Sequence, residues 1–154
     1  MILGVLSGML SIYAQEPDFR LRDLDNQWTE YPDVKGTRIT VIDFWATWCQ
    51  PCVRSIPALI ELSEELKNEG VNFVGISVDG TRNQSKIKPF VHSMGITYPV
   101  LRDLNSELMS DLGVSAIPTL IVYDSEGNRI YLHEGFRPGD ETIIREEILA
   151  HLRK

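Results

Sequence analysis

The spacing of apolar and polar positions changes several times along the chain, and each change marks an element. From Asp18, Phe19 and Leu21 alternate with Arg20 and Arg22. Asp25-Asn26 supplies turn chemistry, and residues 27–31 resume the extended pattern, so an N-terminal β-hairpin is expected. Pro32, Asp33 and Gly36 interrupt the pattern. Residues 39–46 (ITVIDFWA) are apolar on both faces of the pleat, as in a central strand covered on each side. Residues 51–68 follow the helical period, with Val53, Ile56, Leu59, Ile60, Leu62 and Leu66 toward a core and Gly70 as the stop.

Residues 71–78 read as a second buried strand. Residues 83–93 form a polar-faced helix ended by Gly95, and 98–101 a short strand. Asn105 is placed to cap a short helix running to Leu112, which Gly113 ends. Residues 119–123 and 129–133 are two strands joined by Asp124-Ser125-Glu126-Gly127-Asn128, a hairpin signal. Asp140 then caps a last helix with Ile143, Ile144, Ile148 and Leu152 as its apolar stripe. Strands and helices in this order, without an internal repeat or linker, predict one α/β domain over residues 15–154, a central mixed β-sheet flanked by helices.

Composition narrows the function. The chain has 154 residues, enough for one domain with a sizeable core, and 43% of them are apolar, which excludes disorder. A net charge of −7 and a pI near 4.9 argue against binding a phosphate backbone. Residues 1–14 (MILGVLSGMLSIYA) carry no charge and resemble the apolar region of a secretory signal, with cleavage expected after Ala14. The basic start of such a signal is missing, since the first cation is Arg20; an apolar N-terminal arm is the other reading. The stretch is too short to span a bilayer, which takes about 20 residues.

The chain has two cysteines, Cys49 and Cys52, so no multi-bridge scaffold is available. They sit where the strand ending at Ala46 gives way to a helix, in Trp48-Cys49-Gln50-Pro51-Cys52. First-turn amides have no partners inside a helix, and the macrodipole places partial positive charge there. Both effects stabilise a thiolate at Cys49, and a C-x-x-C thiol can fall from ~8.5 to ~7. Pro51 suits a first helical position, where no N–H is needed. Cys49 is then the attacking thiol, and Cys52, one turn on, resolves the mixed disulfide. The competing assignment is half of a zinc site, but His92, His133 and His151 do not stand at paired ligand spacing.

Asp43 interrupts a strand that is otherwise apolar on both faces, on the same face as Val41 and Trp45. A carboxylate there is costly without a partner or a task. Desolvation pushes its pKa upward, so it can accept or relay a proton near neutral pH.

Asp43-Phe44-Trp45-Ala46-Thr47-Trp48-Cys49-Gln50-Pro51-Cys52 closely resembles the active-site segment of the thioredoxin superfamily. Pro57 matches that family's helix proline, and Ile117-Pro118-Thr119 its cis-proline loop. The resemblance implies a thioredoxin-like fold and thiol–disulfide exchange, with Cys49, Cys52 and Asp43 carrying the chemistry. It places Trp48, Gln50, Pro51, Ile117 and Pro118 against substrate, and Trp45 in the core. No cofactor beyond the cysteine pair is implied, and no metal.

The N-terminal hairpin, and an added helix–strand unit over about residues 80–104, are similar to the TlpA-like and ResA-like extracytoplasmic branch. That branch implies export to the periplasm, protein disulfides such as apocytochrome c as substrates, and re-reduction by a membrane conduit of the CcdA or DsbD kind, with the chain acting as a monomer. Three positions depart from the family patterns. Gly80 stands where many ResA-like proteins have glutamate, with Asp79 adjacent but expected to point elsewhere if the strand continues. Asp43 stands where many have asparagine, and Gly75 replaces the lysine that partners the buried acid in thioredoxin. No histidine cation lies between the cysteines, so a reductant is expected rather than a strong oxidant. Two other readings are a peroxiredoxin-like peroxidase, although Thr47 is two residues before Cys49 and no proline precedes it in the strand, and a copper-binding chaperone using the two thiolates.

Overall fold

The computed structural model describes residues 16–154. The reading of residues 1–14 as a signal or arm lies outside the described residues. Seven strands form one sheet in the order β2-β1-β5-β4-β3-β6-β7. They are β1 (Arg20–Asp23), β2 (Trp28–Glu30), β3 (Ile39–Trp45), β4 (Val71–Ser77), β5 (Val100–Arg102), β6 (Thr119–Asp124) and β7 (Arg129–Glu134). The helices are α1 (Tyr31–Val34), α2 (Gln50–Leu66), α3 (Gln84–Met94), α4 (Glu107–Asp111) and α5 (Asp140–Leu152). The sheet is mixed: β3, β4 and β5 run parallel, while β6 pairs antiparallel to β3 and β1 antiparallel to β5.

Every residue of β3 is buried, as its two-sided apolar pattern requires. Ile42 and Phe44 face α1 and α4, in a cluster with Tyr31, Val74, Ile76 and Leu108. Val41 faces α2 and α5, among Leu59, Leu62, Ile144 and Ile148. Trp45 faces α2 and α3, with Ile56, Ile87 and Val91, and is fully buried as expected. The hairpin β1–β2 is present. The added helix–strand unit is α3 with β5, which inserts β5 between β4 and β1.

Several boundaries and caps differ from the sequence reading, each for a local reason. Tyr31 begins α1 instead of ending a strand, because Pro32 fits an early helical position and Asp33 accepts the Glu30 N–H at 2.8 Å. The fifth strand starts at Val100, not residue 98, although the Pro99 carbonyl already accepts the Gly75 N–H at 2.9 Å. Asn105 does not cap α4. The buried Asp103 does that work from further back, accepting the N–H groups of Leu108 (3.3 Å) and Met109 (2.9 Å). Asp140 is the first residue of α5, not its cap. Gly139 caps it at φ +102°, a conformation that glycine adopts without strain. Ile143 is 49% exposed and drops out of the α5 stripe, which Ile144, Ile148 and the partly buried Leu152 form.

Candidate active site

The parallel strands β3, β4 and β5 end on one edge of the sheet, and the chemistry-bearing residues collect there. After β3 the chain turns through Thr47-Trp48 into α2, and Cys49 is the cap residue of that helix. Cys49 and Cys52 are joined by a disulfide, with their Cα atoms 5.2 Å apart. The Cys52 N–H points at Cys49 Sγ, 3.3 Å away. Helix-start amides and macrodipole are thus directed at the first sulfur, which favours it as a thiolate once the pair is reduced. Both cysteines are buried, Cys49 at 5% exposure and Cys52 at none, so Cys49 is the more exposed residue of the pair. Trp48 is 59% exposed beside it, Gln50 is exposed, and Pro51 is half-buried in the first turn.

The Ile117-Pro118 peptide is cis, as the resemblance implied. Ile117 packs against the cluster that holds both cysteines, so the proline loop lies beside the disulfide. The loop is tied down on either side. Thr119 Oγ1 donates to the Ala116 carbonyl at 2.8 Å, and the Gly135 N–H to that of Pro118 at 2.7 Å.

Asp43 lies beneath this arrangement, 2% exposed. Burial raises its pKa from the usual carboxylate value of 3.8 to about 7. It shares a small cavity with Ser55, Leu59 and Pro118, placing it between the first turns of α2 and the proline loop. Ser55 in turn donates to the Cys52 carbonyl at 2.8 Å. In the sheet Asp43 is the register partner of Gly75, the position that lacks thioredoxin's lysine. The residues proposed from sequence therefore converge: Cys49, Cys52, Trp48, Gln50 and Pro51 at the helix start, Ile117 and Pro118 facing them, and Asp43 below.

One residue of this region is named in the sequence reading without a role, and another is passed over. Asp79 does not point away. β4 ends at Ser77, so the chain has left the pleat and the carboxylate turns back to the site. It accepts the Thr47 N–H at 2.9 Å, the Thr47 hydroxyl at 2.6 Å and the Ser77 hydroxyl at 2.9 Å. That clamp holds the turn leading into Trp48 and Cys49. An acid closing a buried strand next to the family's glutamate position was the available signal. The second is Tyr98, whose ring lies over Gly75; nothing in its sequence surroundings marks it. Among the described residues no group of three or more His, Cys, Asp or Glu side chains stands close enough to hold a metal ion. His133 hydrogen-bonds Tyr131 and Asp140, each at 3.0 Å.

Fold and site together define the class, a thioredoxin-like thiol–disulfide oxidoreductase. The model of the AhpC/TSA family matches residues 12–131, and the chain belongs to that family. Within it, the chain is similar to thiol-disulfide oxidoreductase ResA of Bacillus anthracis, with 31% identity over 149 residues covering 94% of this chain and 79% of the relative. ResA of Bacillus subtilis strain 168 is 29% identical over 134 residues, 86% of this chain and 73% of the relative. A crystallised Chlorobium tepidum protein, provisionally named thiol:disulfide interchange protein DsbE, superposes with a TM-score of 0.81. Its identity is 28%, over 90% of this chain and 95% of that one. These likenesses favour disulfide exchange over the peroxidase and metal-carrier readings.

Proposed function

We propose that the protein is an extracytoplasmic protein-disulfide reductase in which Cys49 attacks and Cys52 resolves. The observation that carries the reading is the Cys49–Cys52 pair at the start of α2, against a cis-proline loop and above a buried acid. In the reduced enzyme the Cys49 thiolate attacks one sulfur of a substrate disulfide, forming a mixed disulfide and releasing the other substrate sulfur as a thiolate. Asp43 accepts the Cys52 thiol proton, and the Cys52 thiolate attacks Cys49 Sγ, closing the enzyme disulfide and expelling the second substrate sulfur as a thiolate; the two substrate thiolates take up protons from Asp43 and solvent. Substrate leaves with two thiols, and the enzyme keeps the disulfide. The exposed Trp48 and Gln50, with Pro51, Ile117 and Pro118, form the surface on which substrate lies. The cysteine pair is the whole redox centre, with no added cofactor.

The direction rests on the residues between the cysteines. Gln50-Pro51 adds no cation to stabilise the thiolate further, which favours a reductant. An extracytoplasmic location, apocytochrome c as substrate and a membrane thiol reductant of the CcdA or DsbD kind follow from the ResA-like resemblance and from the apolar first 14 residues. Purified protein is expected to reduce insulin disulfides with dithiothreitol as electron source, and Cys49→Ser to abolish this. Full turnover in that variant would sink the mechanism. Equilibration against glutathione is expected to give a potential nearer about −270 mV than about −120 mV, and a value at the upper end reverses the direction.

A further inference from the structure

Four buried side-chain polar atoms among the described residues find no hydrogen-bond partner in the protein: Asp43 Oδ2, Trp45 Nε1, Tyr98 Oη and Arg102 Nε. The residues of the first three meet around Gly75. Asp43 and Gly75 are register partners across β3 and β4. A Cβ built on Gly75 would lie 2.9 Å from Trp45 Nε1 and 3.3 Å from Tyr98 Cε2, so indole and phenol ring both crowd the bare backbone opposite the acid. The Gly75 N–H bond to the Pro99 carbonyl pins the residue after Tyr98 to the same point of β4. An ionised carboxylate only accepts hydrogen bonds, an indole N–H only donates, and a phenol O–H can supply the donor that a buried carboxylate lacks.

We propose that Tyr98 is the positioning residue for the buried acid. Its phenol O–H donates to the Asp43 carboxylate through one bridging water, and thereby sets the pH at which Asp43 exchanges a proton with Cys52. This rests on the reading of Asp43 as the proton carrier. The phenol keeps its proton throughout; the proton that moves passes from the Cys52 thiol to the Asp43 carboxylate, leaving a thiolate and a carboxylic acid.

Besides the Trp45 indole N–H, an unpartnered donor on the acid's own strand, the elements around Asp43 offer no rival donor. α2 presents Ser55 and Leu59, β6 Leu120 and α5 Ile144. The Ser55 hydroxyl is already spent on the Cys52 carbonyl. From the β7 side come Phe136 and His133, the latter with both ring nitrogens engaged by Tyr131 and Asp140. Burial and the Asp43 charge hold the Tyr98 phenol well above its ordinary value, which suits a permanent donor. A tyrosine in this place occupies the volume over Gly75 that a lysine at position 75 would need, and it supplies a neutral donor where the lysine would supply a cation.

The test is carbon-13 NMR of the Asp43 carboxyl and the Tyr98 Cζ in the oxidised full chain, where neither cysteine titrates. Wild type is expected to show an Asp43 midpoint near 7, echoed at the same pH by Tyr98 Cζ. Tyr98→Phe removes one oxygen that hydrogen-bonds no protein group, and should raise the Asp43 midpoint by about one pH unit. In Asp43→Asn the Tyr98 step should vanish. A Tyr98 that only fills space would leave the Asp43 midpoint of Tyr98→Phe unmoved, and that result, or a lower midpoint, overturns the proposal alone. A wild-type Asp43 midpoint in the ordinary carboxylate range overturns the proton-carrier reading and this proposal with it.

Discussion

Asp43 and Asp79 are both buried acids near the same turn, yet their surroundings give them opposite characters. Asp79 accepts three hydrogen bonds and serves as a structural clamp. Asp43 Oδ2 accepts none from the protein, and burial alone carries its pKa from 3.8 to about 7. A folded-state pKa above the unfolded one means the folded protein holds that proton more tightly. Its stabilisation is therefore complete below the unfolded value and is lost as pH rises through the folded one. Asp43→Asn removes the cost of ionising the buried group. The variant should exceed wild type by up to about 4 kcal/mol above pH 8, with the gap closing toward pH 4. Urea unfolding across that range checks it, and a gap that widens toward acid would refute the assignment. Asp79→Ala should cost about 3 kcal/mol by leaving buried donors unpaired, seen as a lower Tm in calorimetry. Retained stability would mean that the Thr47 turn holds itself.

At the scale of elements, the helical period located α2, α3 and α5, but it did not set every face correctly. α5 is the clear case. Four isoleucine and leucine positions fit one stripe on paper, yet Ile143 stays exposed while Ile144 and Ile148, with the partly buried Leu152, pack in the cluster of Leu59 and Leu62 of α2. Ile148→Ala is expected to destabilise by about 3 kcal/mol and Ile143→Ala by less than about 0.5 kcal/mol. Equal losses in chemical denaturation would show that the stripe is broader than it looks. The caps of α4 and α5 were misplaced for a related reason. Asn105 and Asp140 are good cap residues by type, but Asp103 reaches the α4 amides from the strand side. Asp140 instead binds the Arg137 N–H at 2.7 Å and His133 at 3.0 Å. Such choices depend on where the preceding strand delivers the chain.

For the whole molecule, the sheet order matters most. β3 lies between β4 and β6, with helices over both faces, whereas β2 is an edge strand far from it. Native-state hydrogen exchange should find β3 and β4 amides opening only with global unfolding, and those of the β1–β2 hairpin at lower free energy. Equal protection throughout would mean that the hairpin belongs to the same cooperative unit. The active site sits on the stable side of this division, since both the strand feeding α2 and the β6 start after Pro118 are central. The tie from Asp79 at the end of β4 to Thr47 extends that rigidity into the turn before Cys49.

Local chemistry was enough to settle a good deal. The two-sided apolar run of β3, the C-x-x-C pair at a strand-to-helix turn and the out-of-place Asp43 each announce themselves within a few residues, because side-chain period and helix-start electrostatics are short-range; the Ile117-Pro118 loop was legible only through the family resemblance. What no local pattern contains is which distant residue completes a buried group. That Asp79 would turn back onto Thr47 depends on β4 ending at Ser77. That Tyr98 would stand over Gly75 depends on β5 pairing beside β4. Burial removes the water that would otherwise satisfy these polar atoms, and only the tertiary arrangement decides which groups replace it.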